Sequence, residues 1–97
     1  MSVDIELEEK ISLKYPKKYK VFILNDDYTS MDFVVDILIT IFHKSYEEAE
    51  NIMLEVHKKN QGLCGVYSHE IAETKVTQVT KKAQESGFPL KAVMEEE

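Results

Sequence analysis

The stretch that most constrains the fold is a short apolar run that stops abruptly at three polar residues. Residues 19–24 carry apolar side chains on both alternating faces, a pattern typical of a strand that is buried on both sides. Asn25, Asp26 and Asp27 follow directly, and short polar side chains favour turns because they bond to nearby backbone. A helical pattern begins at Met31. The sequence therefore predicts a central strand, a corner that carries two carboxylates and an amide, and then a helix.

Three helical patterns follow this corner, and each begins at a residue that can cap it. Thr29, with Asp32 three residues later, is close to a capping box for the first helix. Ser45 and Glu48 form the clearer capping box of a second helix, and Ser68 precedes a third. The first helix is apolar around much of its circumference, so we expect it to be the most buried element.

Two further strand patterns complete the predicted fold. Residues 63–67 read as a second strand, preceded by a helix stop in which Gly62 can take a positive φ, and Gly65 indicates a bulge or a close neighbour. Alternating residues after Pro89 predict a last strand. The order is β-α-α-β-α-β, which predicts an α+β two-layer sandwich with three helices packed on a three-stranded sheet.

The chain fits one domain preceded by a short extension. Its 97 residues leave no room for two domains. Residues 1–18 combine clustered acidic residues with scattered apolar ones and close on Pro16, so we expect a flexible N-terminal extension that can order on a partner. Residues 19–97 form the expected core domain.

Charge and composition exclude several classes of protein. The net charge of -6 argues against nucleic acid and against an anionic membrane surface as partners. Cys64 is the single cysteine, so an intramolecular disulfide framework is excluded. The sequence has neither an apolar run of membrane-spanning length nor a signal-peptide pattern, and we expect a monomer in the reducing cytoplasm.

The residue types give little support for catalysis or for metal binding. Cys64 has no histidine at motif spacing, and His43, His57 and His69 are not spaced as metal ligands. The chain has three scattered glycines and no glycine-rich phosphate loop. Asp26 with His57 is a conceivable acid–base pair, but no nucleophile accompanies it. We therefore expect a binding module that is not an enzyme and needs no cofactor or metal.

The second helix offers a polar residue at the edge of an apolar stripe. Met53, Val56 and His57 lie on one helical face and form an apolar patch with a polar tip. A boundary histidine satisfied by water and a methionine that fills the core are the plain alternatives. Backbone capping is the corresponding alternative for Asn25 and Asp26.

Several pieces of the chain, taken together, resemble one family. They are Tyr19-Lys20-Val21, Asn25-Asp26-Asp27-Tyr28-Thr29, Met31, Met53-Leu54-Glu55-Val56-His57, Cys64-Gly65-Val66, Glu73-Thr74-Lys75-Val76 and Pro89-Leu90. Their order and spacing, over residues 15–94, resemble the ClpS family of adaptors for the ATP-dependent Clp protease. Ser30 departs from the family pattern, in which proline is common, and this should loosen the first helical turn but leave the cap at Thr29.

The resemblance implies a non-enzymatic adaptor in an N-degron pathway. Such a protein binds substrates with a bulky hydrophobic N-terminal residue (Leu, Phe, Tyr or Trp). It delivers them to the N-domain of a Clp AAA+ unfoldase of the ClpA type, and the extension helps to hand them over. The alternative is a small regulatory domain that senses free hydrophobic amino acids, and a third possibility is a hydrolase that uses Asp26 and His57.

The resemblance also implies roles for particular residues. The α-amino group of the substrate would be bound by Asn25, Asp26 and His57, which agrees with the need of an ammonium for acceptors. The hydrophobic pocket would be lined by Thr29, Met31, Val34, Met53, Val56 and Leu90. Met31 would stand at the mouth and exclude side chains branched at Cβ. The unfoldase interface would involve Glu70 and Lys75, for which a solvated charged face is the alternative.

Overall fold

The computed structural model describes residues 17–97, so nearly all of the extension expected over residues 1–18 lies outside the described part. The elements are β1 (Lys18–Leu24), α1 (Met31–Thr40), α2 (Tyr46–Lys59), β2 (Gln61–Ser68), α3 (His69–Ser86) and β3 (Lys91–Glu96). Within the described range, three helices pack on a three-stranded antiparallel sheet. The predicted order β-α-α-β-α-β and the two-layer α+β architecture are confirmed.

Strand β1 is the centre of the sheet. The strand order is β2-β1-β3, and β1 pairs antiparallel with both neighbours. Val21 and Ile23 are completely buried in the core, whereas Phe22 and Leu24 are half-buried on the opposite face. The second face is thus partly covered where Phe22 and Leu24 lie, whereas its other end carries Lys18 and Lys20. The polar corner after Leu24 therefore begins at the middle of the sheet.

The pairing of β1 with β2 is interrupted by one extra residue. The register shifts after the pair Val21–Gly65, which leaves Cys64 as the additional residue of a β-bulge. A β-carbon on Gly65 would collide with the ring of Tyr67, so any larger residue there would have to displace that ring. The bulge and the close neighbour expected at this glycine are both confirmed.

The start of α1 differs from the prediction by one residue. Ser30, not Thr29, is the N-cap, and its hydroxyl accepts a hydrogen bond of 3.1 Å from the backbone N–H of Phe33. The predicted cap at Thr29 is wrong because the hydroxyl of Thr29 donates to Asp26 instead. Ser30 itself caps the first turn, and the loosening expected from its replacement of proline stays a prediction.

The stop of α2 also lies at a different residue. Asn60 takes the left-handed conformation with a φ of 68°, a role that asparagine can fill at helix ends. Gly62, which was expected to take the positive φ, is a buried residue of β2. A β-carbon there would come within 2.6 Å of Cγ2 of Val56. Strand β2 therefore begins at Gln61, two residues before the predicted start.

The caps of the other two helices are confirmed. Ser45 and Glu48 exchange side chain–backbone hydrogen bonds of 3.1 Å each, which completes a capping box at the start of α2. Ser68 accepts a hydrogen bond from the N–H of Ile71 at the start of α3. Gly87, with a φ of 78°, ends that helix.

The core lies between the sheet and the helices, and α1 and α3 each contribute three buried residues to it. Its buried members are Val21, Ile23, Val34, Ile37, Leu38, Ile41, Phe42, Ala49, Val56, Cys64, Ala72, Val79, Ala83, Leu90 and Ala92. Burial raises the pKa of the Cys64 thiol to about 12, so this sulfur stays protonated. In residues 17–97 no helix has both the length and the apolar character to cross a bilayer.

Candidate ligand-binding site

A cavity of about 280 Å³ opens beside the corner that follows β1. Its walls come from that corner, from the N-terminal half of α1 and from one face of α2. The lining residues are Asn25, Asp26, Asp27, Thr29, Met31, Val34, Met53, Val56 and His57. The cavity thus brings together all three residues predicted to bind an amine and five of the six predicted to form a hydrophobic pocket.

One side of the cavity is apolar. Val34 and Val56 are buried, with exposed fractions of 6% and 3%, and Met53 is half-buried beside them. Met31 is 48% exposed and therefore lies at the rim, where a gate would have to be. Leu90 is not among the lining residues; it is buried in the core with an exposed fraction of 4%. The apolar side could accept a hydrophobic side chain.

Asp26 is the most strongly held polar group of the site. Its Oδ1 accepts hydrogen bonds from the backbone N–H groups of Tyr28 (2.8 Å) and Thr29 (2.7 Å). Its Oδ2 accepts one from the hydroxyl of Thr29 (2.7 Å). Desolvation raises the pKa of Asp26, but the side-chain and backbone hydrogen bonds from Thr29 and the one from Tyr28 outweigh it and lower the pKa. Asp26 therefore caps backbone groups and still presents an ionised carboxylate to the cavity.

Most of the hydrogen-bond acceptor positions of the Asp26 carboxylate are already occupied. A carboxylate offers about four lone-pair positions. Both positions of Oδ1 and one of Oδ2 are filled by the donors in the corner. A ligand donor can therefore reach Asp26 through the remaining position of Oδ2.

Asn25 and His57 provide the other acceptors. The backbone N–H of Asn25 donates to the carbonyl oxygen of Asn60 (2.9 Å), which ties the corner to the end of α2. The side chains of Asn25 and His57 are exposed and line the cavity. Within the described range, no hydrogen bond to another protein group engages either side chain. Both are open to a ligand.

Asp27 is a second carboxylate at the cavity, and the sequence reasoning gave it no role. It is exposed, and the salt bridges and hydrogen bonds found in residues 17–97 do not involve it. Its place in the same polar run as Asp26 was the signal that could have identified it. Two neighbouring carboxylates make this wall of the cavity attractive to cations.

The residues predicted to face an unfoldase lie outside this cavity. The ammonium of Lys75 donates a hydrogen bond of 2.6 Å to the carbonyl oxygen of Ile41, at the C-terminal end of α1. The same ammonium lies 5.8 Å from the ring centroid of Tyr67. Glu70 is exposed in the first turn of α3. Lys75 therefore joins α3 to α1, while Glu70 is free on the surface.

Among residues 17–97, no three His, Cys, Asp or Glu side chains are grouped in a way that could hold a metal ion.

Comparisons with known proteins match the chain over nearly all of its length. The family model described as "ATP-dependent Clp protease adaptor protein ClpS" matches residues 14–93. A relative from Wolinella succinogenes, named ATP-dependent Clp protease adapter protein ClpS, is 53% identical over 93 residues, which cover 96% of this chain and 91% of the relative. A relative of the same name from Oleidesulfovibrio alaskensis is 57% identical over 93 residues, 96% of this chain and 88% of the relative.

A solved structure supports the same conclusion. It is ClpS2 of Agrobacterium tumefaciens bound to L-phenylalaninamide, and it superimposes with a TM-score of 0.83 at 38% sequence identity. The match covers 86% of this chain and 100% of that chain. Sequence, fold and length all agree, so the chain belongs to the ClpS family of adaptor proteins of the ATP-dependent Clp protease.

Proposed function

We propose that this ClpS family adaptor recognises N-degrons. It binds proteins whose first residue is Leu, Phe, Tyr or Trp with a free α-amino group, and it delivers them to a Clp AAA+ unfoldase of the ClpA type. As a member of an adaptor family, the chain performs no chemistry itself. The observation that carries the proposal is one cavity with polar acceptors on one wall and an apolar surface on the other.

The polar wall suits a primary ammonium. Such a group has three N–H donors, and Asn25 Oδ1, Asp26 Oδ2 and one ring nitrogen of His57 supply three acceptors. His57 can accept only while its ring is neutral. Hydrogen bonds to a charged group contribute about 1.5–3 kcal/mol each. Acetylation of the amine removes its charge and two of its donors, so these acceptors would lose their partners.

The apolar wall suits a large aliphatic or aromatic side chain. Burying Leu or Phe against Val34, Met53 and Val56 is worth about 1.5–3 kcal/mol. Micromolar binding requires about 8 kcal/mol, and association itself is costly. Neither wall is sufficient alone, which explains why a terminal residue would be preferred over an internal one. The ligand of the solved ClpS2 structure, L-phenylalaninamide, combines a free amine with a phenyl side chain in the same way.

The two alternative functions fit the cavity less well. A free amino acid carries an α-carboxylate, which Asp26 and Asp27 would repel. A hydrolase that uses Asp26 and His57 needs Asp26 as a general base, but the hydrogen bonds that Asp26 accepts from Tyr28 and Thr29 lower its pKa and make it a weak base. An N-terminal residue that is followed by an amide avoids the first problem and requires no general base.

The proposed surface for the unfoldase N-domain is the start of α3. Glu70 supplies a free charge there, and Lys75 contributes through the link that it makes between α3 and α1. Residues 1–18 act as the extension that hands the substrate over, with residues 19–97 as the recognition core. The adaptor works as a monomer in the cytoplasm in this scheme.

Peptide binding tests the function directly. C-terminally labelled peptides that begin with each of the twenty residues are titrated with the protein, and fluorescence anisotropy is measured. We expect binding for Leu, Phe, Tyr and Trp and none after acetylation of the amine. Equal affinity for the acetylated and free peptides would refute N-degron recognition. Competition by free phenylalanine as strong as that by phenylalaninamide would favour the amino-acid sensor.

A further inference from the structure

The corner at residues 25–27 has a cavity on each side, and the proposed function uses only the first. The second cavity has a volume of about 370 Å³. Its lining residues are Leu24, Asn25, Asp26, Asp27, Tyr28, Pro89 and Lys91. The residues that the two cavities share are Asn25, Asp26 and Asp27. A ligand bound at the polar wall of the first cavity is therefore next to the second.

An aromatic ring stands at this second cavity without a function so far. Tyr28 is 79% exposed, more than any other large hydrophobic residue described. Its backbone N–H donates to Asp26 Oδ1, so the base of the ring is fixed in the corner. Half-buried Leu24 and exposed Pro89 supply an apolar surface, and Lys91 supplies a cation. An exposed ring beside apolar and cationic groups is suited to packing against another ring.

We propose that the second cavity is a subsite for an aromatic side chain at the second, third or fourth position of the same substrate. The proposal rests on the proposed function, because the first residue must already occupy the first cavity. An extended chain advances about 3.3–3.6 Å per residue, so these positions lie roughly 3–11 Å beyond the first residue. The shared corner spans three residues, a length that this stretch of substrate can cover. An aromatic pair of this kind tightens binding by roughly two- to tenfold.

The test compares four peptides that all begin with leucine. The reference has alanine at positions two, three and four, and each of the others has phenylalanine at one of these positions. Dissociation constants are measured for the full chain and for two variants, Tyr28→Ala and Tyr46→Ala. Tyr46 is the matched control because it is also a strongly exposed tyrosine (64%) but lines neither cavity. The readout is the affinity of each phenylalanine peptide relative to the reference in the same variant.

We expect one phenylalanine position to raise the relative affinity by roughly two- to tenfold in the full chain and in Tyr46→Ala. In Tyr28→Ala the ratio falls to about one, because the partner ring is gone. Equal affinities for all four peptides in the full chain, or a gain that survives Tyr28→Ala, would overturn the subsite. Failure of the reference peptide to bind the full chain is a different result: it refutes N-degron recognition and the subsite with it.

Discussion

The hydroxyl of Thr29 donates a hydrogen bond of 2.7 Å to Oδ2 of Asp26, while the backbone N–H of Thr29 donates one of the same length to Oδ1. One residue thus binds both oxygens of the carboxylate that faces the cavity. These two hydrogen bonds hold the carboxylate in place. Desolvation raises the pKa of Asp26, but the hydrogen bonds from Thr29 and the one from the N–H of Tyr28 together outweigh it and lower the pKa.

Thr29→Val removes the hydroxyl donor and keeps the shape of the side chain. The pKa of Asp26 is lowered in the folded protein, so its contribution to stability is present above the unfolded value near 3.8 and is lost as the pH falls through the folded pKa. We expect the variant to be less stable by about 1 kcal/mol at pH 7 and by less at pH 3. Urea denaturation at the two pH values measures this. An equal loss of stability at pH 7 and at pH 3 would show that the hydrogen bond from Thr29 does not depend on the charge of Asp26.

Asp26→Asn changes the charge of the candidate amine site with almost no change in size. We expect peptides with a free N-terminal Leu to bind roughly 10- to 100-fold more weakly, because a charge-assisted hydrogen bond is lost. Asp36→Asn is the control, since Asp36 lies on α1, pairs with Lys82 at 3.0 Å and lines no part of the cavity. Isothermal titration of both variants makes the comparison. Similar losses in both would point to overall charge and not to the site.

Met31→Ala removes the side chain at the rim of the cavity. We expect peptides beginning with Ile or Val, which are branched at Cβ, to gain at least severalfold in affinity because the steric barrier is gone. Leu54→Ala serves as the control because Leu54 is exposed to a similar degree (42%) and does not line the cavity. Anisotropy titrations with Leu, Ile and Val peptides test this. Unchanged discrimination against Ile and Val would remove Met31 from the role of gate.

Lys75→Met removes the ammonium that binds the C-terminal carbonyl of α1. We expect a loss of about 1–3 kcal/mol in the free energy of unfolding, because a hydrogen bond from a charged group to Ile41 disappears. Lys81→Met, an exposed lysine on the same helix, should change stability by less than about 0.5 kcal/mol.

The same variant distinguishes the structural role of Lys75 from a role at the unfoldase. Glu70→Gln removes a free surface charge and should weaken binding of the unfoldase N-domain without a change in stability. If Lys75→Met is as stable as the parent chain, then the hydrogen bond from Lys75 to Ile41 does not contribute to stability. Any loss of unfoldase binding would then come from a direct contact.

Local sequence rules predicted the elements well because each rule depends on residues close in the chain. The capping box of Ser45 and Glu48, the stop at Gly87 and the central strand are all readable in this way. The choice between Thr29 and Ser30 as cap was not readable. It depends on Asp26, whose carboxylate takes the Thr29 hydroxyl and leaves the neighbouring serine to cap the helix.

The rest of the site depended on packing between distant elements. Gly62 is needed for its lack of a side chain against Val56 and not for a left-handed turn, and only the packed structure reveals that. Lys75 reaches Ile41, a residue 34 positions away. Leu90 follows a turn whose direction the sequence does not define, and it enters the core instead of the cavity. Contacts between residues that are far apart in the chain leave no periodic pattern in the sequence.

The position of the recognition corner at the end of the central strand has a consequence for the cost of binding. Leu24 pairs with Gln61 on one side and with Lys91 on the other, and Asn25 is tied to Asn60. Most binding loops are drawn from the least protected parts of a protein, but the start of this one is fixed by the two ladders and by the bond to Asn60. The corner is therefore preorganised. Little of the binding free energy is lost to ordering the protein, which matters for a ligand that makes few contacts.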